Sequence, residues 1–411
     1  MRCGLIGEKL GHSHSKTLHG LLADYRYDLI ELAPEELGPF LKKGEFDGLN
    51  VTIPYKQAVI PYLRELSPAA RAIGSVNTIV RRPDGSLFGD NTDAYGLGVI
   101  TGRAGMAFAG TKTLILGSGG TSKTARHVVE AAGGEAVTVS RTGETNYENL
   151  ERHADAAWLI NATPVGMYPK VQAAPVDLAR LTNLRGVADV IYNPLRTRLL
   201  QQARALGIPC EGGLTMLTYQ AVRACERFTG RPVPAERARE AERALRRAVT
   251  GLALVGMPGA GKSTVGALAA ARLGMPFVDL DGEIEKAAGM PIPRIFETEG
   301  EAGFRRRETE ALRRVALVGG QVIAAGGGIV KSAENRELLR MNCVVAHITR
   351  PIEALPMDGR PLSQGREALA RLWRERAGLY AAAADAEIEN GASPEDCARA
   401  VEEAYHEAVC D

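Results

Sequence analysis

The run Gly256-Met257-Pro258-Gly259-Ala260-Gly261-Lys262-Ser263 fits G-x-x-x-x-G-K-S at every fixed position and follows the apolar stretch Leu252–Val255. A glycine turn between a strand and a helix start points free backbone N–H groups at a phosphate. Lys262 is expected to neutralise β- and γ-phosphates and Ser263 to ligate Mg²⁺. Gly256, Gly259, Ala260, Gly261 and Thr264 would wrap the same nucleotide. A second glycine turn, Gly117-Ser118-Gly119-Gly120, follows Thr113–Leu116 and has the spacing of a dinucleotide site. The next strand, Ala136–Val139, ends in Ser140-Arg141-Thr142 with no acidic residue. An Asp or Glu there would bond a ribose 2′-hydroxyl, whereas Arg accommodates a 2′-phosphate, so NADP is favoured over NAD.

Polar groups able to read a small molecule cluster before the first glycine turn. Ser13 and Ser15 sit at i and i+2 of a turn and can both face a polyol or a carboxylate. Asn50-Val51-Thr52-Ile53-Pro54-Tyr55-Lys56 ends a strand with alternate polar side chains on one face. Gly74–Thr78 adds the amide of Asn77, and Gly89–Gly96 puts Asp93 at a turn before a helix. Each also has a plain alternative. Asp93 or Thr92 could serve only as a helix cap, and Lys56 could be a solvated lysine. His12 and His14 lack a third ligand, which argues against a metal.

Elements must position these groups. A chain of 411 residues exceeds what one hydrophobic core serves, and 45% apolar residues suffice for a core in each part. The first hundred residues alternate strand-like runs (Arg2–Ile6, Asp47–Ile53) with helical ones (Lys16–Leu22, Lys56–Leu66), which predicts a parallel sheet covered by helices. A second βα series starts near Thr113 and passes through Ala136–Ser140, Ala157–Asn161 and Val187–Ile191. Pro234–Val249 reads as a helix running almost directly into the next α/β stretch, without a Gly/Ser tether. The formal charge of +1 argues against nucleic acid as a partner, and no apolar stretch is long enough for a bilayer. The first residues enter a strand without a signal-like segment, and the six cysteines form no CxxC pair, so reduced thiols in a cytoplasm are expected.

In combination, the first clusters resemble the shikimate dehydrogenase family. Ser13/Ser15, Asn50–Lys56, Gly74–Thr78 and Asn91–Asp93 stand in that family's order, followed by Leu159–Met167, Asp189–Pro194 and Gly213–Gln220. The resemblance covers residues 1 to about 248. It implies a substrate-binding α/β domain at 1–100 to which 213–248 returns, and a Rossmann NADP-binding domain at 101–212. The implied reaction is reversible reduction of 3-dehydroshikimate to shikimate by NADP(H). Hydride reaching a ketone carbon builds negative charge on oxygen, so a proton donor must lie within reach. Lys56 would be that donor and Asp93 its partner, with Ser13, Ser15, Asn50, Thr52, Asn77, Tyr192 and Gln220 reading hydroxyls and carboxylate. Asn161, Thr163 and Gly213 fall in motifs that face the cofactor. Two positions depart from the family's N-R-T-x-x-K/R pattern: Ser140 replaces Asn, and Thr145 takes the last basic position.

Residues 250–411 resemble the shikimate kinase family, an α/β P-loop domain. The matching motifs are Asp279-Leu280-Asp281, Ile295-Phe296 with Gly300-Glu301 and Phe304-Arg305–Glu308, Gly326-Gly327-Gly328, Arg360-Pro361-Leu362 and Arg376–Tyr380. The D-x-D at a strand end would put both carboxylates on one face. By resemblance Asp281 binds the acceptor hydroxyls, and Asp279 supports Mg²⁺. Arg305 and Arg376 hold the carboxylate with the Gly327 and Gly328 backbone, and Arg360 reaches in from a lid over ATP. The stretch from Arg350 to Arg360 is short, and Leu355-Pro356-Met357-Asp358 lacks the basic residue that in this family packs on adenine before the lid.

The sequence thus predicts a fusion whose first product is the second site's substrate, with small-molecule partners and a homodimer left open. Two rivals use the same residues. One is a quinate/shikimate dehydrogenase with a kinase of reduced activity, against which Ser15 stands where a bulkier Thr would suit quinate. The other is a metabolite-sensing regulator without turnover, against which Lys56, Asp93, Lys262, Asp281 and Arg305 are all retained.

Overall fold

The computed structural model describes every residue except His12, 356–364, Ala392 and Asp411. Arg360 therefore lies outside the described residues, as does His12. The chain divides into two compact units, Met1–Leu245 and Arg246–Asp411, and the division falls inside the helix Ala235–Val249. Among the described residues no helix is long and apolar enough to cross a membrane.

The first unit holds two sheets. The N-terminal one has six strands in the order Arg26–Glu31, Arg2–Gly7, Gly48–Val51, Thr78–Arg81, Leu87–Asp90, Glu65–Leu66. The first three are parallel, but Thr78–Arg81 runs antiparallel to both of its neighbours. The expected parallel sheet is therefore a mixed one. Its antiparallel part follows from the turn Arg82–Ser86, where Arg82 N donates to Ser86 O (2.9 Å) and Asp84 accepts the Ser86 amide (2.9 Å). A connection that short permits a hairpin and not a crossover. The helix expected over Lys56–Leu66 is also absent. Turns and a single 3₁₀ turn, Ile60–Tyr62, lead there into the strand Glu65–Leu66. Pro61 has no N–H with which to extend a helix.

The second sheet is wholly parallel, in the order Cys210–Glu211, Gly186–Asp189, Trp158–Asn161, Lys112–Leu116, Glu135–Val139. Its central strands are fully buried, with Leu114, Leu116, Leu159 and Val187 in one core cluster and Ile115, Ile160 and Ala188 in another. Leu49, Val51, Ile79 and Val76 form the core beneath the first sheet. The helix Asp93–Arg103 leaves the first sheet and packs on the long helix Gly213–Thr229. Gly96 allows that approach, because a Cβ there would lie 2.6 Å from the Met216 carbonyl oxygen. At the other end of this helix Arg103 makes a two-pronged ion pair with the buried Glu242 (2.7 and 2.8 Å).

The second unit is built on a parallel sheet, ordered Phe277–Asp279, Val322–Ala324, Gly251–Val255, Cys343–Thr349, Ala386–Glu389. The P-loop leaves the central strand, Gly251–Val255, which is buried throughout. Helix Lys262–Leu273 begins on the loop's own lysine.

Candidate active sites

In the first unit one cavity of about 350 Å³ is lined by Ser13, Ser15, Asn50, Thr52, Lys56, Asn77, Asp93, Tyr192, Gly213 and Gln220. Residues spread over two hundred positions meet there because strand ends of both sheets and the helix Gly213–Thr229 converge on it. Lys56 Nζ lies 2.6 Å from Asp93 Oδ2, and both side chains are mostly shielded from water. Asn77 Nδ2 donates to Asp93 Oδ1 (2.8 Å), while Asn77 Oδ1 accepts from the Thr92 amide (2.7 Å). The carboxylate is thus aimed by one amide and closed on by one ammonium. Thr92 makes no side-chain cap bond and Asp93 is turned to Lys56, so neither is a mere helix cap.

Other predicted readers are held just as firmly. Asn50 is buried, with its Oδ1 accepting from Tyr27 Oη (2.8 Å). Ser13 Oγ accepts the Ser15 amide (3.2 Å), which sets the turn between them. Gln220 Nε2 donates to Leu217 O (2.9 Å), and Tyr192 meets the His14 ring edge-on. Lys9 and Thr121 line the cavity as well. Sequence reasoning missed both, because neither falls in a recognisable spacing. It also missed Tyr27 and the part played by Thr78, whose hydroxyls hydrogen-bond Asn50 and Asn77.

The first glycine turn has the geometry of a dinucleotide site. Gly117 adopts φ 103°, closed to other residues without strain, and its amide bonds Val139 O (2.8 Å). Gly119 caps the helix Gly120–Ala131, and open space lies where side chains on Gly119 and Gly120 would project. That leaves an exposed helix N-terminus beside Ser118, which suits a pyrophosphate. Ser140 N bonds Thr145 O (3.1 Å) across a short loop from which Arg141 and Thr142 project exposed. Thr145 itself is engaged with His153 (3.1 Å). Asn161 is buried and committed to Asp189 (3.0 Å) and to Thr163 (2.7 Å), so it shapes the turn rather than offering a free amide. Burial pushes the Asp189 carboxyl up to about 7, against the hydrogen bonds it accepts from Thr197, Ile191 and Asn161.

In the second unit a cavity of about 600 Å³ runs from Gly259, Gly261, Lys262, Ser263 and Thr264 to Asp281, Arg305, Gly327, Gly328 and Arg376. Gly256 is required at its position, since at φ 148° a Cβ would lie 2.3 Å from Ile348 O. Lys262 Nζ donates to Gly256 O and Met257 O (3.0 Å each), and Asn390 Nδ2 fixes Ala260 O (2.8 Å). Asp279 and Asp281 do not share a strand face as expected, for the strand ends at Asp279 and Asp281 lies in the helix Leu280–Ala288. Asp279 Oδ1 caps that helix by accepting Asp281 N (3.1 Å), and its Oδ2 accepts from Ser263 Oγ (2.7 Å). A strand-to-helix turn, not the two-residue strand period, brings the carboxylates together.

The acceptor end is anionic-ligand chemistry. Arg305 grips the buried Glu308 with Nη1 (3.0 and 2.9 Å). Arg376, itself buried, and Tyr380 Oη both donate to Gly327 O. Gly328 lies so close under Arg305 that a Cβ would fall 2.4 Å from Nη2. Among the described residues, the buried Nε–H groups of Arg305 and Arg376 have no partner, as expected of donors awaiting an anion. Burial raises the Glu308 carboxyl above its ordinary range, opposed chiefly by Arg305. The motifs contained Glu308 and Tyr380 but did not show that they orient Arg305 and the glycine loop. Ser263 and Asp279 offer hard oxygen ligands side by side, which fits Mg²⁺ held mainly through water and phosphate.

Together these define a two-unit α/β enzyme, with a dinucleotide oxidoreductase site in one unit and a P-loop phosphoryl-transfer site in the other. Residues 5–79 match the shikimate dehydrogenase substrate binding domain, 213–241 the shikimate 5′-dehydrogenase C-terminal domain, and 258–406 shikimate kinase. A shikimate dehydrogenase (NADP⁺) of Clostridium beijerinckii is 38% identical over 245 residues, 54% of this chain and 90% of that protein. A chorismate mutase/shikimate 5-dehydrogenase fusion of Clostridium acetobutylicum superposes with TM-score 0.55 at 33% identity, covering 59% of this chain and 96% of that one. Shikimate 5-dehydrogenase of Thermus thermophilus in complex with NADP(H) and shikimate gives TM-score 0.53 at 30% identity, covering 59% of this chain and 99% of that one. The chain belongs to the shikimate dehydrogenase family and carries a shikimate kinase domain behind it.

Proposed function

We propose that the chain reduces 3-dehydroshikimate to shikimate with NADPH and then phosphorylates shikimate with ATP to 3-phosphoshikimate. The observation that carries this is the Lys56–Asp93 pair, 2.6 Å apart in a cavity lined by hydroxyl- and amide-bearing side chains. Bound NADPH supplies the hydride. Lys56 delivers the proton to the carbonyl oxygen as charge develops there. Asp93 holds Nζ and accepts a ring hydroxyl, with its orientation set by Asn77. Ser13, Ser15, Thr52, Tyr192 and Gln220 bind the remaining hydroxyls and the carboxylate. Arg141 meets the 2′-phosphate, Gly117–Gly120 the pyrophosphate, and Thr142, Thr163 and Gly213 the cofactor's flanks.

In the kinase unit Arg305 and Arg376 clamp the shikimate carboxylate with the Gly327–Gly328 backbone. Asp281 accepts from the acceptor hydroxyl and draws off its proton. Lys262 swings from the Gly256 and Met257 carbonyls onto the phosphates. Ser263 and Asp279 would hold Mg²⁺, which neutralises phosphate charge, and Arg360 completes the lid. Partners are small molecules only, with neither nucleic acid nor membrane, and a homodimer is compatible with this. Cys3, Cys210, Cys225 and Cys397 carry free thiols, which supports a reducing cytoplasm. Purified protein given 3-dehydroshikimate, NADPH and ATP-Mg should oxidise NADPH and release ADP in equal amounts. Loss of NADPH without ADP formation would leave a dehydrogenase alone, and metabolite binding without either would support a sensor.

A further inference from the structure

We infer that Arg350 is a phosphate-contacting residue of the kinase site, presenting a fixed positive charge to the ATP polyphosphate from a rigid strand end. The inference rests on the kinase function proposed above. Among the described residues, four cationic side chains line the kinase cavity: Lys262, Arg305, Arg350 and Arg376. Lys262 is held on the P-loop carbonyls, Arg305 on Glu308, and Arg376 on Gly327 O. Arg350 is exposed and, among the described residues, makes no hydrogen bond or ion pair. A guanidinium that lines the P-loop cavity with no carboxylate partner among the described residues is a charge available to the ligand.

Its position is fixed by the fold. Strand Cys343–Thr349 runs parallel to Gly251–Val255 with His347 opposite Val255, so both strands end at the edge where the P-loop begins. Ile348 O abuts Gly256 there. Asn390 pins both sides of this edge, donating its backbone N–H to Thr349 O (2.8 Å) and its side-chain amide to Ala260 O of the P-loop (2.8 Å). Pro351 follows Arg350, which restricts Arg350 to extended backbone. The residue's backbone is therefore held from before and after, and its side chain lines the P-loop cavity without any loop closing. A planar guanidinium can take two phosphate oxygens at once, which the Lys262 ammonium does only as a point charge. This chain lacks a basic residue in the short stretch before Arg360, so a cation anchored on the strand supplies charge that such a stretch does not.

The test uses the full chain with Arg350→Gln and Arg350→Lys, assayed for shikimate-dependent ADP formation. Arg350→Gln should lower kcat/KM for ATP by about 10- to 100-fold, the effect of losing a charge-assisted hydrogen bond. The lysine variant should fall between it and the unmodified chain. The KM for shikimate and the NADPH-dependent dehydrogenase turnover should stay unchanged, the latter also reporting that the chain is folded. Inorganic tripolyphosphate should compete with ATP in the unmodified chain and lose affinity in Arg350→Gln, whereas adenosine should compete equally well in both. An Arg350→Gln enzyme with unchanged kcat/KM for ATP overturns the inference and leaves the kinase function standing. So does weakening of adenosine alone, which would put the residue on the base. An unmodified chain that never phosphorylates shikimate overturns both.

Discussion

Asp93 receives Lys56 Nζ on one carboxylate oxygen at 2.6 Å and Asn77 Nδ2 on the other at 2.8 Å. The two contacts aim the ammonium into the cavity and leave little freedom at either residue. Lys56→Ala should lower dehydrogenase kcat by roughly 10²–10⁴-fold, with a smaller change in substrate KM. Asn77→Ala should act indirectly, with a smaller kcat loss through a misaimed Asp93. Steady-state kinetics on 3-dehydroshikimate check both, and near-normal kcat in Lys56→Ala would remove it from the chemistry.

Cofactor choice is a question of charge. Arg141 is exposed on the loop that closes through Ser140 and Thr145, with no acidic residue after the strand. NADPH should therefore be preferred over NADH, and Arg141→Asp should erode or reverse that preference. Equal kcat/KM for the two cofactors in the unmodified chain would refute the assignment.

The two sites should fail independently. Lys262→Ala removes the charge that holds the β- and γ-phosphates, so phosphorylation of supplied shikimate should collapse while NADPH oxidation persists. Lys56→Ala should do the converse. If Lys262→Ala abolished dehydrogenase turnover in a chain folded by circular dichroism, separate sites could not explain the enzyme.

Gly328→Ala tests the acceptor end. The added methyl would sit 2.4 Å from Arg305 Nη2 and must push the guanidinium off its place. The KM for shikimate in the kinase assay should rise about 10-fold or more, in line with the loss of one charged hydrogen bond. The KM for ATP should stay near its original value, and equal weakening of both would mean the glycine serves only the fold.

Short-range order was legible in the sequence because it is written in neighbouring residues. Both glycine turns, the strands feeding them and the helices following them depend on local apolar runs and on glycines that admit positive φ, as at Gly117 and Gly256. The clusters around Lys56, Asp93, Lys262 and Arg305 were legible for the same reason. What lay beyond the sequence is where local turns and caps override the periodic pattern, and what depends on contacts between distant segments. The Arg82–Ser86 turn made a hairpin where alternation implied a crossover, and turns with a single 3₁₀ turn at Pro61 stand where a helix was expected over Lys56–Leu66. The strand period failed at Asp281, because Asp279 caps a helix that starts between the two carboxylates. Above all, Tyr27 behind Asn50, Tyr380 on the Gly327 carbonyl and Asn390 between Thr349 and Ala260 are supports contributed by other elements. The chain alone names the groups that do the chemistry, since their types must suit it. Their aim is decided only when burial forces each polar atom to find a partner, wherever in the fold that partner lies.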